Sequence, residues 1–278
     1  MNAVGAAIDR LLWRVGSVAV ICYALLPVVW ILSLSLKPAA ELNDGRFLPA
    51  NPSLEHYRAI FIDPQFPAAL LNSIGIGVLA TLLSIALGAL AAYAIVRLRF
   101  RGRRWILVGA LAIAMFPPVA VIGPLFELWR TLGLFDTWLG LILPYMTFTL
   151  PLSIWILAAF FRDIPWDLDR AARVDGATPL QAFRHVILPL AAPGVFAAAT
   201  LVFIFAWNDF LFAAALTSTN ASRTVPAAIA FFTGSSRFEL PTGSIAAASV
   251  VVTVPVVLAV LVFQRRIVAG LTAGAVKG

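Results

Sequence analysis

The chain has 278 residues, of which 62% are hydrophobic and 12% charged, with a mean hydropathy of +0.96. A water-soluble globule of this length cannot cover so much apolar surface. That excludes a soluble enzyme, a disordered tail and a disulfide-stapled secreted domain, and leaves a polytopic membrane protein. The net charge of +7 would suit a nucleic-acid binder, but the basic residues sort to one side of a membrane and no nucleic-acid partner is expected.

A helix needs about 20 mostly apolar residues to cross the hydrocarbon layer. Six segments qualify within a single transmembrane domain covering 1–278: 15–36, 69–96, 105–126, 138–160, 194–216 and 243–263. They are apolar all round, which predicts an all-α bundle rather than a β-barrel. With the N-terminus inside, 14 of the 20 Lys and Arg residues fall in inner segments and 6 in outer loops. This bias places both termini in the cytoplasm of a plasma membrane. The inner cluster Arg97, Arg99, Arg101, Arg103 and Arg104 is expected to anchor a tight hairpin at lipid headgroups. Cys22, alone in the first span, reads as a small packing residue.

The outer loop 37–68 contains five prolines. Two readings stand for 54–62: a short helix on the membrane surface, or part of an ordered connector. The outer loop 217–242, rich in Ser, Thr, Asn and Gly, either faces an external partner or is solvated.

Only one inner loop has real length, 161–190. Pro165 is expected at the first position of a short helix. Asp167 and Asp169 lie in its first turn, where the helix dipole favours negative charge. Leu168, Ala171 and Ala172 make one apolar stripe. Arg173 sits in the last turn, Asp175 follows, and Gly176 supplies a left-handed cap. Thr178 and Gln181 form a capping-box pattern opening a second helix, with Pro189 at its exit. The stripe either docks another protein or packs on the chain's own bundle.

In the fifth predicted span, Trp207-Asn208-Asp209 is a polar notch in an apolar helix. Asp209 is the only ionisable residue well inside a span, so it should face protein or water. Two readings stand: Asn208 and Asp209 border a solute pathway, or Asp209 hydrogen-bonds a neighbouring helix. Phe205, with Trp30, Trp155 and Phe203, can stack on a ligand ring or simply pack. Prolines 117, 118, 124, 144, 151 and 255 are expected to kink spans three, four and six. Gly75, Gly77 and Gly88 allow close helix packing in span two. A P-loop needs G-x-x-x-x-G-K-[ST]. The two lysines, Lys37 and Lys277, have no such context, so the chain is not expected to hydrolyse ATP or to be an enzyme.

The inner loop also carries Arg170-Ala171-Ala172, then Gly176 after three residues, then Val186-Ile187-Leu188-Pro189 after nine more. This resembles the E-A-A, G, I-x-L-P signature of the permease subunits of ATP-binding-cassette (ABC) importers, with Arg170 in place of Glu and Val186 in place of Ile. Val174-Asp175-Gly176-Ala177, Trp207-Asn208-Asp209-Phe210 and the ending 264–278 are similar to the carbohydrate branch of that family. SLSLKP, GLFDTWLGLILPY, FTGSS and PTGSIAA resemble its mycobacterial trehalose permeases.

The resemblance implies a type I importer fold with a cytoplasmic coupling helix at 167–176 that sits in a cleft of an ATPase. The contact residues would be Asp167 to Arg173, Asp175, Gly176 and Thr178. It implies a tail contact through Gly274, Val276 and Lys277, and a sugar pathway near Phe205, Asn208 and Asp209. The implied partners are a second permease, two ATPase subunits that bind ATP and Mg, an extracellular solute-binding protein and a disaccharide such as trehalose. The chain itself would hold no cofactor or metal. An ABC permease for another solute, an ion-coupled secondary transporter and an assembly protein without cargo are the competing readings.

Overall fold

The computed structural model describes residues 3–98, 100–232 and 241–275, with side chains described from 12 to 262 within these ranges. The described residues are mostly helical and contain no strand. Leu12–Leu36, Gln65–Arg97, Trp138–Asp163 and Thr242–Val262 are each long and apolar enough to cross a membrane. Two compact units form: Met1–Pro67 with Phe231–Val254, and Ala68–Ala230 with Pro255–Gly278.

In the first unit, α1 (Ala3–Leu36) leads into an ordered loop and α2 (Glu55–Ile62). Cys22 is exposed on α1 and does not pack within the chain, contrary to expectation. The loop folds around Lys37, which is fully buried. Its ammonium donates to Asp44 at 2.7 Å and to the Arg46 carbonyl at 2.6 Å, and lies 5.7 Å from the Trp30 ring. The bond from Lys37 holds the Asp44 carboxyl below the usual carboxylate range. A buried cation is tolerable only when paired and hydrogen-bonded in this way. Trp30, packed on Phe47 and beneath Lys37, is a packing residue. The connector reading of this loop holds, with a helix inside it.

The second unit is built on α3 (Gln65–Arg97, from residue 68), α4 (Arg103–Ala114), α5 (Pro118–Leu132) and α6 (Trp138–Asp163). The predicted third span is not one helix. It breaks at 115–117, and α4 and α5 meet at 88°. Pro117 is extended (φ −67°, ψ 120°), since the ring of Pro118 excludes the α conformation from the residue before it.

By contrast, α6 runs unbroken through Pro144 and Pro151. Pro144 has no N–H for the Gly140 carbonyl, and the Trp129 indole N–H donates to that carbonyl at 2.6 Å instead. A neighbouring side chain thus re-satisfies the freed backbone group.

Small residues bring α3 against α6, as expected. A Cβ on Gly75 would lie 2.2 Å from the Trp138 ring, and one on Gly88 would lie 2.6 Å from the Ser153 Cβ. Between them the Ser84 and Thr149 hydroxyls bond at 2.7 Å.

After α6 come α7 (Trp166–Val174), α8 (Pro179–Ala182), a π-helical stretch (Phe183–Ile187) and α9 (Leu188–Leu190). Pro189 lies inside α9, and the exit falls at Ala191, where α10 (Ala192–Asn208) begins at 80° to the preceding segment. The predicted fifth span is also divided: Asp209 is extended and α11 (Leu211–Leu216) follows. Then come α12 (Val225–Ala230) and α13 (Thr242–Ala275), which is continuous through Pro255. The backbone of 264–275 continues α13.

The start of the loop 217–242 is both pinned and solvated, with residues 218–221 exposed. Asp136, at φ +59°, accepts from the Ser218 and Thr219 amides at 3.0 and 3.2 Å. It also accepts from the Thr219 and Ser222 hydroxyls at 2.5 and 2.8 Å. The Asn72 amide donates to the Asn220 and Arg223 carbonyls, and the Trp138 indole donates to Asn72 and to the Ala221 carbonyl.

Partial burial raises the Asp136 carboxyl, but the hydrogen bonds from Thr219, Ser218 and Ser222 together outweigh it and bring it to about 2 from 3.8. Because the folded value is depressed, the clasp contributes its full stability above pH about 3.8 and loses it as pH falls toward about 2. Asp136→Asn puts a donor among donors. It should speed amide exchange at 217–224 about tenfold, the effect of a lost charged hydrogen bond of about 1.5 kcal/mol. Hydrogen-exchange mass spectrometry checks this at neutral pH.

Candidate functional site

The segment after α6 is shaped by local rules. Pro165 is the N-cap of α7, one residue before the expected position, and is extended. At the other end Gly176 takes φ +86°. The Gly176 N–H bonds the Arg173 carbonyl at 3.1 Å and the Ala177 N–H bonds the Ala172 carbonyl at 2.9 Å, which is a Schellman closure. Thr178 and Gln181 form the predicted reciprocal capping box, at 2.8 and 3.3 Å.

The orientation of α7 reverses that of an ordinary surface helix. Leu168 and Ala171 of the apolar stripe are exposed, Ala172 is half-buried, and Val174 is 86% exposed. The residue α7 buries is Asp169, at 2% exposure. The Tyr93 hydroxyl on α3 donates to it at 3.0 Å, and Arg173 pairs with it at 3.1 Å. Asp167 and Arg170 lie in solvent 3.6 Å apart, and among the described residues Arg170 makes no ion pair with a buried group. Asp175 and Thr178 are exposed in the corner that follows. The own-bundle reading of the stripe therefore fails.

Arg97 reinforces the same junction. It is buried, not at the lipid surface as its place in the basic cluster predicted. One guanidinium nitrogen donates to the Phe161 carbonyl at 2.8 Å and the Ile164 carbonyl at 2.6 Å, and the group lies 4.7 Å from the Trp166 ring. Charge-assisted bonds of this kind are the stronger class. Behind it, Phe183 of the π-helical stretch packs on Tyr93 and Phe161 at 5.0 and 6.2 Å. Thus α3, the end of α6, the π-helical stretch and the start of α10 share one apolar core. The sequence reading missed Tyr93 and Arg97. The i,i+4 spacing of Asp169 and Arg173 was the available signal that Asp169 leaves the exposed face.

The notch lies at the division between α10 and α11. The Asp209 carboxylate accepts from the Tyr145 hydroxyl at 2.9 Å, and from the Ala213 and Phe212 amides at 3.1 and 3.4 Å. It caps α11 and ties it to α6, which is the neighbouring-helix bond anticipated for it. Asn208 and Phe205 are exposed, and the Asn208 amide donates to the Ile204 carbonyl at 2.8 Å. Phe203 packs on Trp207 at 5.4 Å, and Phe205 lies 6.4 Å from Phe148. Gly274 falls in the helical backbone of α13. Val276 and Lys277 lie outside the described residues.

Comparisons with known proteins follow this geometry. The profile of the family described as "Binding-protein-dependent transport system inner membrane component" matches residues 84–272, about two thirds of the chain. The trehalose transport system permease protein SugB of Mycobacterium tuberculosis is 60% identical over 96% of this chain and 97% of its own. The trehalose/maltose transport system permease protein MalG of Thermococcus litoralis is 42% identical over 98% of both chains. Among solved structures, a chain of a bacterial ABC transporter involved in the import of the acidic polysaccharide alginate superposes with a TM-score of 0.78. It is 24% identical and matches over 95% of this chain and 98% of that one. A chain of the MetNI methionine ABC transporter in inward-facing conformations superposes at 0.60. The chain belongs to the binding-protein-dependent transport system inner membrane component family and is a permease of the ABC importer type.

Proposed function

We propose that this chain is one half of the translocation channel of an ATP-driven sugar importer, carrying a disaccharide such as trehalose. The names of the relatives similar over their whole length support the sugar class. The observation that carries the mechanism is the inverted helix α7. It buries the charged Asp169 against its own bundle and leaves Leu168 and Ala171 exposed beside Asp167 and Arg170, a face that a docked partner would cover.

In this reading both termini are cytoplasmic and two ATPase subunits, holding ATP and Mg, dock on the coupling helices. A second permease completes the channel, and an extracellular binding protein delivers the sugar. ATPase closure moves α7. Asp169–Tyr93 and the Arg97 bonds carry that motion to α3 and α6, and Phe183 carries it to α10. Arg170 meets an acidic group on the ATPase where the family's glutamate would meet a basic one, and Gly274, Val276 and Lys277 make the secondary contact. Asn208 and Phe205 border the sugar path, while Asp209 holds the break that presents them.

Reconstitution with the partner subunits in proteoliposomes tests the proposal. Labelled trehalose should accumulate only with ATP and the binding protein present. The double change Ala171→Glu and Ala172→Glu, which puts two charges into the docked face, should lower uptake about a hundredfold, equivalent to about 2.7 kcal/mol of lost docking. Uptake driven by an ion gradient without the ATPase would contradict the reading.

A further inference from the structure

Beside the coupling helix, a cavity of about 300 Å³ opens at the cytoplasmic end of the second unit. Arg103 and Arg104, from the first turn of α4, line it together with Arg162, from the last turn of α6, and Trp166, which begins α7. The rest of the lining is apolar: Ile95 and Val96 of α3 and Leu107 of α4. Among the described residues no carboxylate lines it. Asp163 is not part of the wall, and Asp167 is turned to Arg170. Among the described residues none of the three arginines takes part in an ion pair.

Three guanidinium groups around one cavity repel each other unless an anion sits among them. The start of α4 adds to the demand. Its N-cap, Gly102, offers no side-chain acceptor, and both first-turn charges are positive at the end where the helix dipole favours a negative one. A phosphate group answers both, because arginine forks match its oxygens and uncapped amides face it.

The surroundings set the depth. Trp105, next to Arg104, is 78% exposed, and α4 continues with exposed Ile106, Val108 and Leu111. Exposed tryptophans mark the headgroup level and the apolar run marks the acyl region below it. The cavity thus offers charge at headgroup depth and a greasy wall toward the chains.

We infer that this cavity binds the phosphodiester headgroup of an anionic phospholipid of the cytoplasmic leaflet. The inference rests on the membrane orientation proposed above. It gives lipid a place in coupling, because Trp166 lines the cavity and also carries the Arg97 guanidinium on its ring. An occupied site braces the first turn of α7 just where Arg97 holds it.

The test uses the assembled complex in nanodiscs of equal phosphatidylglycerol and phosphatidylcholine. Lipids retained after extraction are counted by native mass spectrometry. Wild type should retain phosphatidylglycerol over phosphatidylcholine, and Arg103→Gln with Arg162→Gln should reduce that preference about tenfold. The matched pair Arg101→Gln with Arg184→Gln removes the same charge outside the cavity and should keep it. Equal retention of the two lipids by wild type, a result that needs no variant, overturns the inference. Equal loss in both double variants overturns it as well, since that is a diffuse surface field. Displacement of the lipid by millimolar inorganic phosphate would mark a free-phosphate site instead. None of these readouts depends on sugar uptake, so failure here leaves the transport reading to its own assay.

Discussion

Asp169→Ala is expected to uncouple the transporter. The change removes the acceptor of the hydroxyl of Tyr93, a residue 5% exposed, and frees Arg173, whose side chain is 42% exposed, from its pair. A buried donor left without a partner costs about 1–3 kcal/mol. The helix faces solvent on its other side, so this cost falls on the seat of α7 rather than on the core. The ATPase should still associate, because Leu168 and Ala171 are untouched, but ATP would be hydrolysed without moving α3. Sugar imported per ATP should fall about tenfold to a hundredfold, measured as the ratio of uptake to phosphate release in proteoliposomes. Tyr93→Phe should give a smaller loss in the same direction, and combining it with Asp169→Asn should add little, the mark of a shared contact. Loss of ATPase association with Asp169→Ala would mean that Asp169 shapes the docking face instead.

Asp209→Ala is expected to damage the fold more than the transport chemistry. It strips the acceptor from the fully buried Tyr145 hydroxyl and from two amides that open α11. In a membrane the unfolded reference also finds partners, so the combined cost is about 2–4 kcal/mol. The melting temperature of the purified complex should drop by about 5 °C or more. Asp209→Asn keeps an acceptor at the same place and should retain sugar affinity and rate. A tenfold rise in KM at unchanged melting temperature would instead put the Asp209 carboxylate on the sugar path, in place of the capping role assigned to it.

Much of this architecture was legible in the residues. Long apolar runs gave the helices of 65–97, 138–163 and 242–262. Gly176, Thr178 and Gln181 gave the corner after the coupling helix, because caps depend on chemistry within a few residues. The break at 115–117 falls at Pro117-Pro118, where a kink was expected, but its 88° size and the division at Asp209 were not legible. A proline kinks or breaks a helix according to whether a distant group takes the freed carbonyl. Pro144 is rescued by Trp129, 15 positions away, and an acidic residue in an apolar run can cap a new helix as readily as face water. The face that α7 buries was left open for a similar reason. Its stripe identified an amphipathic helix but not which side meets its own bundle. That choice was made by Tyr93 on another helix, 76 residues earlier. Arg97 looked like one of five surface arginines until the Phe161 and Ile164 carbonyls gave it a buried seat.

The central claim is that the outward face of α7 is an ATPase dock. Its most direct test is site-specific photocrosslinking in the assembled complex, with a benzophenone side chain placed at Ala171 or Val174 in turn. Both positions should crosslink to the ATPase subunit, and with changed yield when ATP is trapped, while the same probe at Trp105 should not. Crosslinks from Ala171 and Val174 to lipid or to other parts of this chain, with none to the ATPase, would contradict the account.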